Sequence, residues 1–219
     1  MTMVKICGIT NKKDLQIATS AGADAVGFIV GVKSSPRNLS IKKANKLIRQ
    51  VPLFVQSVVV TVPKNIDEVR RLHDTLHPNA IQIHGSLDIP DLSSIKKAFP
   101  NLFLIRALKV IPANIKKRAV SVSKNFDAIL LDSYIKGKHG GTGVVHDWAL
   151  SLKIKQLIHP IPMILAGGLK PENVVSAIDY VQPYAVDVSS GVEKQLGIKD
   201  KQKIYNFIKH AKDIKNEKN

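Results

Sequence analysis

The sequence predicts an α/β protein, a single (β/α)8 TIM barrel spanning residues 1–219, on three observations. Short β-branched apolar runs recur along the chain and alternate with amphipathic segments, the order that builds parallel sheets through right-handed crossovers. Eight such units in 219 residues allot about 27 residues to each, near the compact end of the barrel range. No flexible linker or composition shift divides the chain. An open doubly wound sheet is the alternative, but Cys7-Gly8-Ile9-Thr10 lacks the GxGxxG spacing of its first loop.

The elements follow in order. Val4–Cys7 is the first strand, and Asn11–Ala21 the first helix, with Thr10 as its predicted cap and Lys13-Asp14 in its first turn. Strand Ala25–Val30 precedes helix Ser40–Gln50, and strand Val55–Val60 precedes helix Asn65–Leu76, whose Asp67-Glu68 suit a positive helix start. Strand Ala80–Ile83 leads to helix Ile89–Ala98, and strand Leu102–Ala107 comes fifth. The sixth strand, Ala128–Leu131, runs into a glycine-rich stretch, Ser133–Gly143, before Asp147 caps a helix containing Trp148. Strand Met163–Ala166 is followed by a helix opening at Pro171-Glu172 and ending at Val181. Strand Ala185–Val188 and helix Lys201–Ile214 close the pattern, leaving a polar tail over Lys212–Asn219 that is predicted to fray.

Composition narrows the function classes. The net charge is +16, and 27 of the 33 basic residues are lysines, scattered over predicted outer helix faces such as Ile41-Lys42-Lys43-Ala44-Asn45-Lys46. Aromatics are 5%, too sparse for single-strand stacking platforms, so a solvated lysine coat is favoured over a nucleic-acid site, and the positive field suits an anionic small-molecule substrate. No apolar run approaches the ~18 residues of a membrane span, and the opening MTMVKICGIT has no leader pattern, so a cytoplasmic protein with no membrane partner is expected. One cysteine excludes an internal disulfide, and the seven histidines show no metal-ligand spacing, so no metal is expected.

Strand alternation then sorts side chains. It places Lys5 with Cys7, Gln82 with His84, Leu130 with Asp132, and Ala185 with Asp187 on the faces opposite their aliphatic neighbours. A polar interior at the C-terminal face of the barrel results, and polarity buried there needs partners or a task. Cys7 ends the first strand before Gly8, and a nearby cation, Lys5, is predicted to favour its thiolate; the competing assignment for Lys5 is an interior ion pair with Asp187. Asp132 ends the sixth strand ahead of a loop instead of a helix, where partial desolvation raises a carboxyl pKa and suits a general acid. Glycine clusters at Gly140-Gly141-Thr142-Gly143, Gly167-Gly168 and Asp187–Glu193 bring backbone N–H groups towards an anion; the last two follow strands seven and eight, the usual phosphate seat of such barrels. Arg37, after Ser35-Pro36, offers a fork for a carboxylate, and His84 is assigned to substrate positioning.

Together these residues resemble the phosphoribosylanthranilate isomerase family. Lys5-Ile6-Cys7-Gly8-Ile9-Thr10 matches its opening motif, and Ser35-Pro36-Arg37, Gln82-Ile83-His84-Gly85, Leu131-Asp132, Gly140-Gly141-Thr142-Gly143, Asp147-Trp148, Ala166–Val174 and Val186–Glu193 follow in the family's order over nearly the whole chain. The loop Gly31–Arg37 departs from the family's more frequent Tyr-Pro pattern, and Val62-Pro63 replaces a common Val-Asn. The resemblance implies a cofactor-free Amadori rearrangement of N-(5-phosphoribosyl)anthranilate to 1-(2-carboxyphenylamino)-1-deoxyribulose 5-phosphate in tryptophan biosynthesis. It implies Cys7 as general base and Asp132 as general acid. Arg37 would hold the anthranilate carboxylate and His84 the substrate. Gly141, Gly143, Gly167, Gly168, Asp187, Ser189 and Ser190 would line the sugar-phosphate site. The histidine-pathway isomerase of the same barrel type is the nearest enzymatic rival, but it uses two aspartates and shows a half-length repeat absent here. A basic RNA- or partner-binding barrel is the rival from another class. A monomer or a homodimer is compatible with the sequence.

Overall fold

A computed structural model of the chain describes residues 1–85, 89–111, 113–133 and 147–213, with the side chains of 89–93 set aside. Among these residues the eight expected strands are β1 Met3–Ile6, β2 Ala25–Val30, β4 Gln56–Thr61, β5 Ala80–Ile83, β6 Phe103–Lys109, β7 Ala128–Asp132, β8 Met163–Leu165 and β9 Ala185–Val188. They pair in parallel in the order β1-β9-β8-β7-β6-β5-β4-β2, and a β1–β2 pairing closes the ring. A short strand, β3 Asn38–Leu39, adds to the outer end of β2, and β10 Glu193–Gln195 forms an antiparallel hairpin with β11 Ile198–Lys199; the sequence pattern predicted neither.

The crossover helices are α1 Lys12–Ser20, α2 Ile41–Ile48, α3 Ile66–Leu76, α4 Ile89–Ala98, α5 Ile115–Ser123, α6 Trp148–Ile158, α7 Val174–Val181 and α8 Lys201–Lys212. Side-chain caps fix several starts: Asn11, Ser40, Asn65, Asp147 and Asp200 each accept a first-turn backbone N–H. Asn11, not Thr10, caps α1, because the Thr10 hydroxyl donates instead to the Gly197 carbonyl at 2.7 Å. Pro171 lies in a turn ahead of α7, where Asn173 accepts from Lys170 N at 2.8 Å and donates to the Gly168 carbonyl at 3.0 Å. That turn shapes the chain leaving the Gly167-Gly168 pair, so α7 opens at Val174.

Alternation divides the apolar residues into two layers. Val4, Ile6, Phe28, Val59, Ile81, Leu104, Ile129, Leu131 and Val186 pack outward under the helices in one large core. Cys7, Val58, Val60, Ile105, Ala107, Leu130 and Ile164 form a smaller cluster inside the ring. The inner layer is polar towards the C-terminal ends of the strands, as the sequence predicts, because Lys5, Gln82 and Asp187 are buried there. Tail residues 214–219 lie outside the described residues, so the expected fraying and the last residue of helix Lys201–Ile214 do too.

Candidate active site

The C-terminal ends of the strands open into one pocket. Cys7, Arg37, His84 and Asp132 line it, together with Gly167, Gly168, Asp187, Ser189 and Ser190. Every predicted site residue within the described chain is therefore brought together; Gly141 and Gly143 lie outside the described residues. In the ring of eight, β7 stands three places from β1 through β9 and β8, so Asp132 and the end of β1 face the pocket from well-separated strands.

The pocket floor is a chain of polar contacts. Lys5 donates to Asp187 Oδ1 at 2.9 Å and to Gln82 Oε1 at 2.9 Å, and the Gln82 amide nitrogen lies 2.7 Å from His84 Nε2. With the Gln82 oxygen committed to Lys5, its N–H donates to His84, which assigns the imidazole proton to Nδ1. The imidazole is neutral across the working range: burial, then the charges of Lys5, Arg106 and Lys109, push its pKa down to about 3. Arg106 fixes the backbone on either side of His84, donating through Nη1 to the Ile83 carbonyl at 3.0 Å and through Nη2 to the Gly85 carbonyl. This arginine faces the outer apolar layer, and burial lowers its pKa to about 10.

Cys7 departs from expectation in its ionisation. Burial pushes the thiol pKa above 9.0, outweighing the attraction of Lys5, because Lys5 is neutralised by Asp187, whose own charge also pushes the thiol up. At neutral pH the free protein therefore holds Cys7 as a thiol, not the thiolate that a lone neighbouring cation would favour. Both assignments of Lys5 hold geometrically: it pairs with Asp187, and its charge still acts on Cys7. Lys5→Met is expected to raise the Cys7 pKa further, since it removes the cation and leaves Asp187 uncompensated; ultraviolet titration of the thiolate that coincides with wild type would reject this.

The Asp132 pKa is shifted in the direction expected of a partly desolvated carboxyl. Burial and then the charge of Asp187 raise its pKa to about 6, against smaller opposing effects from the Ser133 N–H, Lys109 and Lys5. Lys109, paired in register with Asp132 and lining the pocket, was missed because strand β6 continues two residues beyond its predicted end at Ala107; the alternation Ile105, Ala107, Lys109 carried the signal.

Two glycines allow the close packing. A Cβ on Gly27 in β2 would fall 2.8 Å from Cys7 Sγ and 3.1 Å from Cys7 Cα. Gly27→Ala must therefore displace Cys7, and is expected to lower kcat at least ~10-fold and stability by about 1–3 kcal/mol. Wild-type kcat and melting temperature in this variant would remove that steric account. On Gly167, at φ +82°, a Cβ would overlap both the backbone nitrogen and the side chain of Ser133, so the loops after β7 and β8 touch where the pocket needs them.

Arg37 is buried and reaches the pocket, but its fork is already engaged. Nε and Nη2 donate to Glu193 Oε1 and Oε2, each at 2.7 Å, leaving Nη1 and the second Nη2–H for a ligand. Glu193 is buried, yet Arg37 and Lys199 outweigh that cost and hold its carboxyl below the usual range. Among the described residues no cluster of three His, Cys, Asp or Glu side chains is arranged to hold a metal ion, and no helix is long and apolar enough to cross a membrane.

Comparison with known proteins matches this arrangement to one family. The sequence profile described as N-(5'-phosphoribosyl)anthranilate (PRA) isomerase matches residues 4–210. An N-(5'-phosphoribosyl)anthranilate isomerase of Methanothrix thermoacetophila is 44% identical over 212 residues, covering 97% of this chain and 99% of the relative. The crystal structure of phosphoribosyl anthranilate isomerase from Thermotoga maritima superposes with a TM-score of 0.87 at 39% identity, covering 97% of this chain and 99% of that one. A crystal structure of phosphoribosyl anthranilate isomerase in complex with reduced 1-(o-carboxyphenylamino)-1-deoxyribulose 5-phosphate gives a TM-score of 0.83 at 38% identity, with the same coverage.

Proposed function

The chain belongs to the N-(5'-phosphoribosyl)anthranilate isomerase family, an isomerase family of tryptophan biosynthesis, and on that premise we propose that it converts N-(5-phosphoribosyl)anthranilate to 1-(2-carboxyphenylamino)-1-deoxyribulose 5-phosphate without a cofactor, using Cys7 as base and Asp132 as acid. The observation that carries the assignment is the pairing of these two groups in one pocket, Cys7 just past the end of β1 and Asp132 at the end of β7, with Asp132 tuned to about 6.

The rearrangement needs a proton delivered and a proton removed at different atoms. Asp132 donates to the furanose ring oxygen as the C1–O bond breaks, and the nitrogen lone pair forms the iminium ion. Cys7 then takes the C2 proton, the C–H electrons form the C1–C2 double bond of an enolamine as the C=N electrons return to nitrogen, and protonation at C1 with loss of the 2-hydroxyl proton gives the ketone. The iminium ion that precedes the enolamine is positive, so carboxylate charge and the fixed dipoles of the polar floor favour this path over one in water. The neutral His84 positions a sugar hydroxyl through Nδ1–H without competing for the protons.

The two ends of the substrate are anions and have separate seats. The remaining Arg37 N–H groups receive the anthranilate carboxylate, and backbone N–H groups around Gly168, Ser189 and Ser190 receive the phosphate. Freshly generated phosphoribosylanthranilate, followed by loss of its fluorescence, tests the activity. Turnover by the wild-type protein is the expected result; a folded protein that leaves the fluorescence unchanged loses this assignment.

A further inference from the structure

Lys199 is fully enclosed, its side chain showing 0% exposure, and the acid–base chemistry does not use it. It stands on β11, in register with Glu193 across the β10–β11 hairpin. Its ammonium donates to Glu193 Oε1 at 3.0 Å, to the Ser189 carbonyl at 3.0 Å and towards Ser189 Oγ at 3.4 Å. Glu193 in turn holds Arg37 by two bonds of 2.7 Å. One buried cation thus joins Arg37, at the carboxylate seat, to Ser189, at the phosphate seat.

Between the two seats lies the turn that follows Cys7. A Cβ on Gly8 would fall 2.6 Å from Arg37 Cδ and 2.9 Å from Ser189 Oγ, so the turn is packed directly between the residues Lys199 connects. The backbone of Lys199 is itself fixed, because its N–H donates to Asp14 Oδ2 at 2.9 Å. Enclosing an ammonium is unfavourable unless acceptors compensate for the lost water, and an apolar side chain of similar length would fill the space without that cost. Arg37, Glu193 and Lys199 together carry two positive charges and one negative, a net +1 beside a pocket that takes two anions.

We propose that Lys199 is a positioning residue that couples the two anion seats, setting Arg37 through Glu193 and the phosphate loop through Ser189, so that both ends of the substrate are held in register over Cys7. The proposal rests on the substrate assigned above. Two fragments separate the ends: inorganic phosphate and anthranilate, each titrated into the protein by calorimetry and as a competitive inhibitor.

Lys199→Met is expected to weaken both fragments at least about tenfold, the scale of one charge-assisted hydrogen bond lost at each seat. Arg37→Met is expected to weaken anthranilate and spare phosphate. A Lys199→Met protein that unfolds cooperatively but binds either fragment as wild type does overturns the coupling, since a purely structural lysine would change the melting temperature alone. Should the methionine variant not fold, Lys199→Gln keeps a donor for Ser189 while losing the charge. It is expected to weaken anthranilate more than phosphate, and unchanged binding of both has the same overturning force. Wild-type turnover is read in parallel: its absence removes the substrate assignment, whereas an active wild type with unaltered Lys199 variants removes this proposal alone.

Discussion

Asp132→Asn is expected to lower kcat at least ~100-fold while leaving the barrel folded, and Cys7→Ala is expected to do the same or more. Each removes one proposed proton-transfer partner, and neither residue is in the salt bridges of the described residues, so circular dichroism should match wild type. The pH dependence of kcat/KM gives the stricter test. In the proposed mechanism the active form has Asp132 protonated and Cys7 ionised. With Asp132 at about 6 and the Cys7 thiol pushed above its ordinary value by burial, that form is a small minority at intermediate pH. Its share is constant there, because each unit of pH removes as much protonated Asp132 as it adds thiolate. Below about pH 6 Asp132 is already protonated and the thiolate goes on declining, so kcat/KM falls tenfold per unit. Above the Cys7 pKa it falls again as the acid is lost. Asp132→Asn should abolish the break near pH 6 and leave residual activity that climbs continuously towards the Cys7 pKa. A retained break in that variant would assign it to another group.

The barrel and most of its pocket were legible because they follow from alternation. A period of two across eight strands sends Lys5, Gln82 and Asp187 inward and Val4, Ile81 and Val186 outward, and the observed layers repeat that division. The elements that escaped do not rest on alternation. Lys199 sits on a strand of two residues, Ile198–Lys199, far too short to show a period. Arg106 occupies an outward position among Leu104 and Leu108, where a single cation breaks the apolar pattern but its acceptors are backbone carbonyls, which carry no residue signature. Thr10 and Asn11 are adjacent residues of equal capping competence, and only the competing carbonyl of Gly197 decides between them. The Cys7 pKa escaped for another reason. A lysine two residues away is visible in a sequence, but the Asp187 that neutralises it lies 182 residues along the chain, and the depth of burial that dominates both is a property of the closed ring.

Asp187→Ala should be the most destabilising single change in the pocket. Lys5 and Asp187 meet at 2.9 Å with side chains 4% and 9% exposed, so the alanine variant leaves an ammonium enclosed with the Gln82 oxygen and the Cys7 sulfur as its partners and no carboxylate to neutralise it. Breaking a buried pair from one side costs about 3–5 kcal/mol, roughly 6–20 °C in melting temperature for a chain of this size. The sign of the pH effect is specific. In the wild type, burial lowers the Lys5 pKa but Asp187 and Cys7 outweigh it and raise it above 10.5, so the stabilisation is fully present at neutral pH and is lost only as pH rises past that range. Without Asp187 the effect of burial gains weight. The native Lys5 pKa then falls below its unfolded value, the unfolded chain binds more protons, and the variant's deficit should narrow as pH rises towards 10.5. A deficit independent of pH would show that lost packing, not an isolated charge, destabilises the protein. Removing both charges in Lys5→Met/Asp187→Leu should recover most of the stability, since apolar replacement of a buried pair is often neutral or better. It should not recover the chemistry: Asp187 helps raise Asp132, and Lys5 opposes the burial of the Cys7 thiolate, so the double variant shifts both proton-transfer groups at once. A stable double variant with a displaced acid limb and depressed kcat/KM would mean that the pair is kept for the proton arrangement it imposes on the pocket, at a cost the rest of the barrel core offsets.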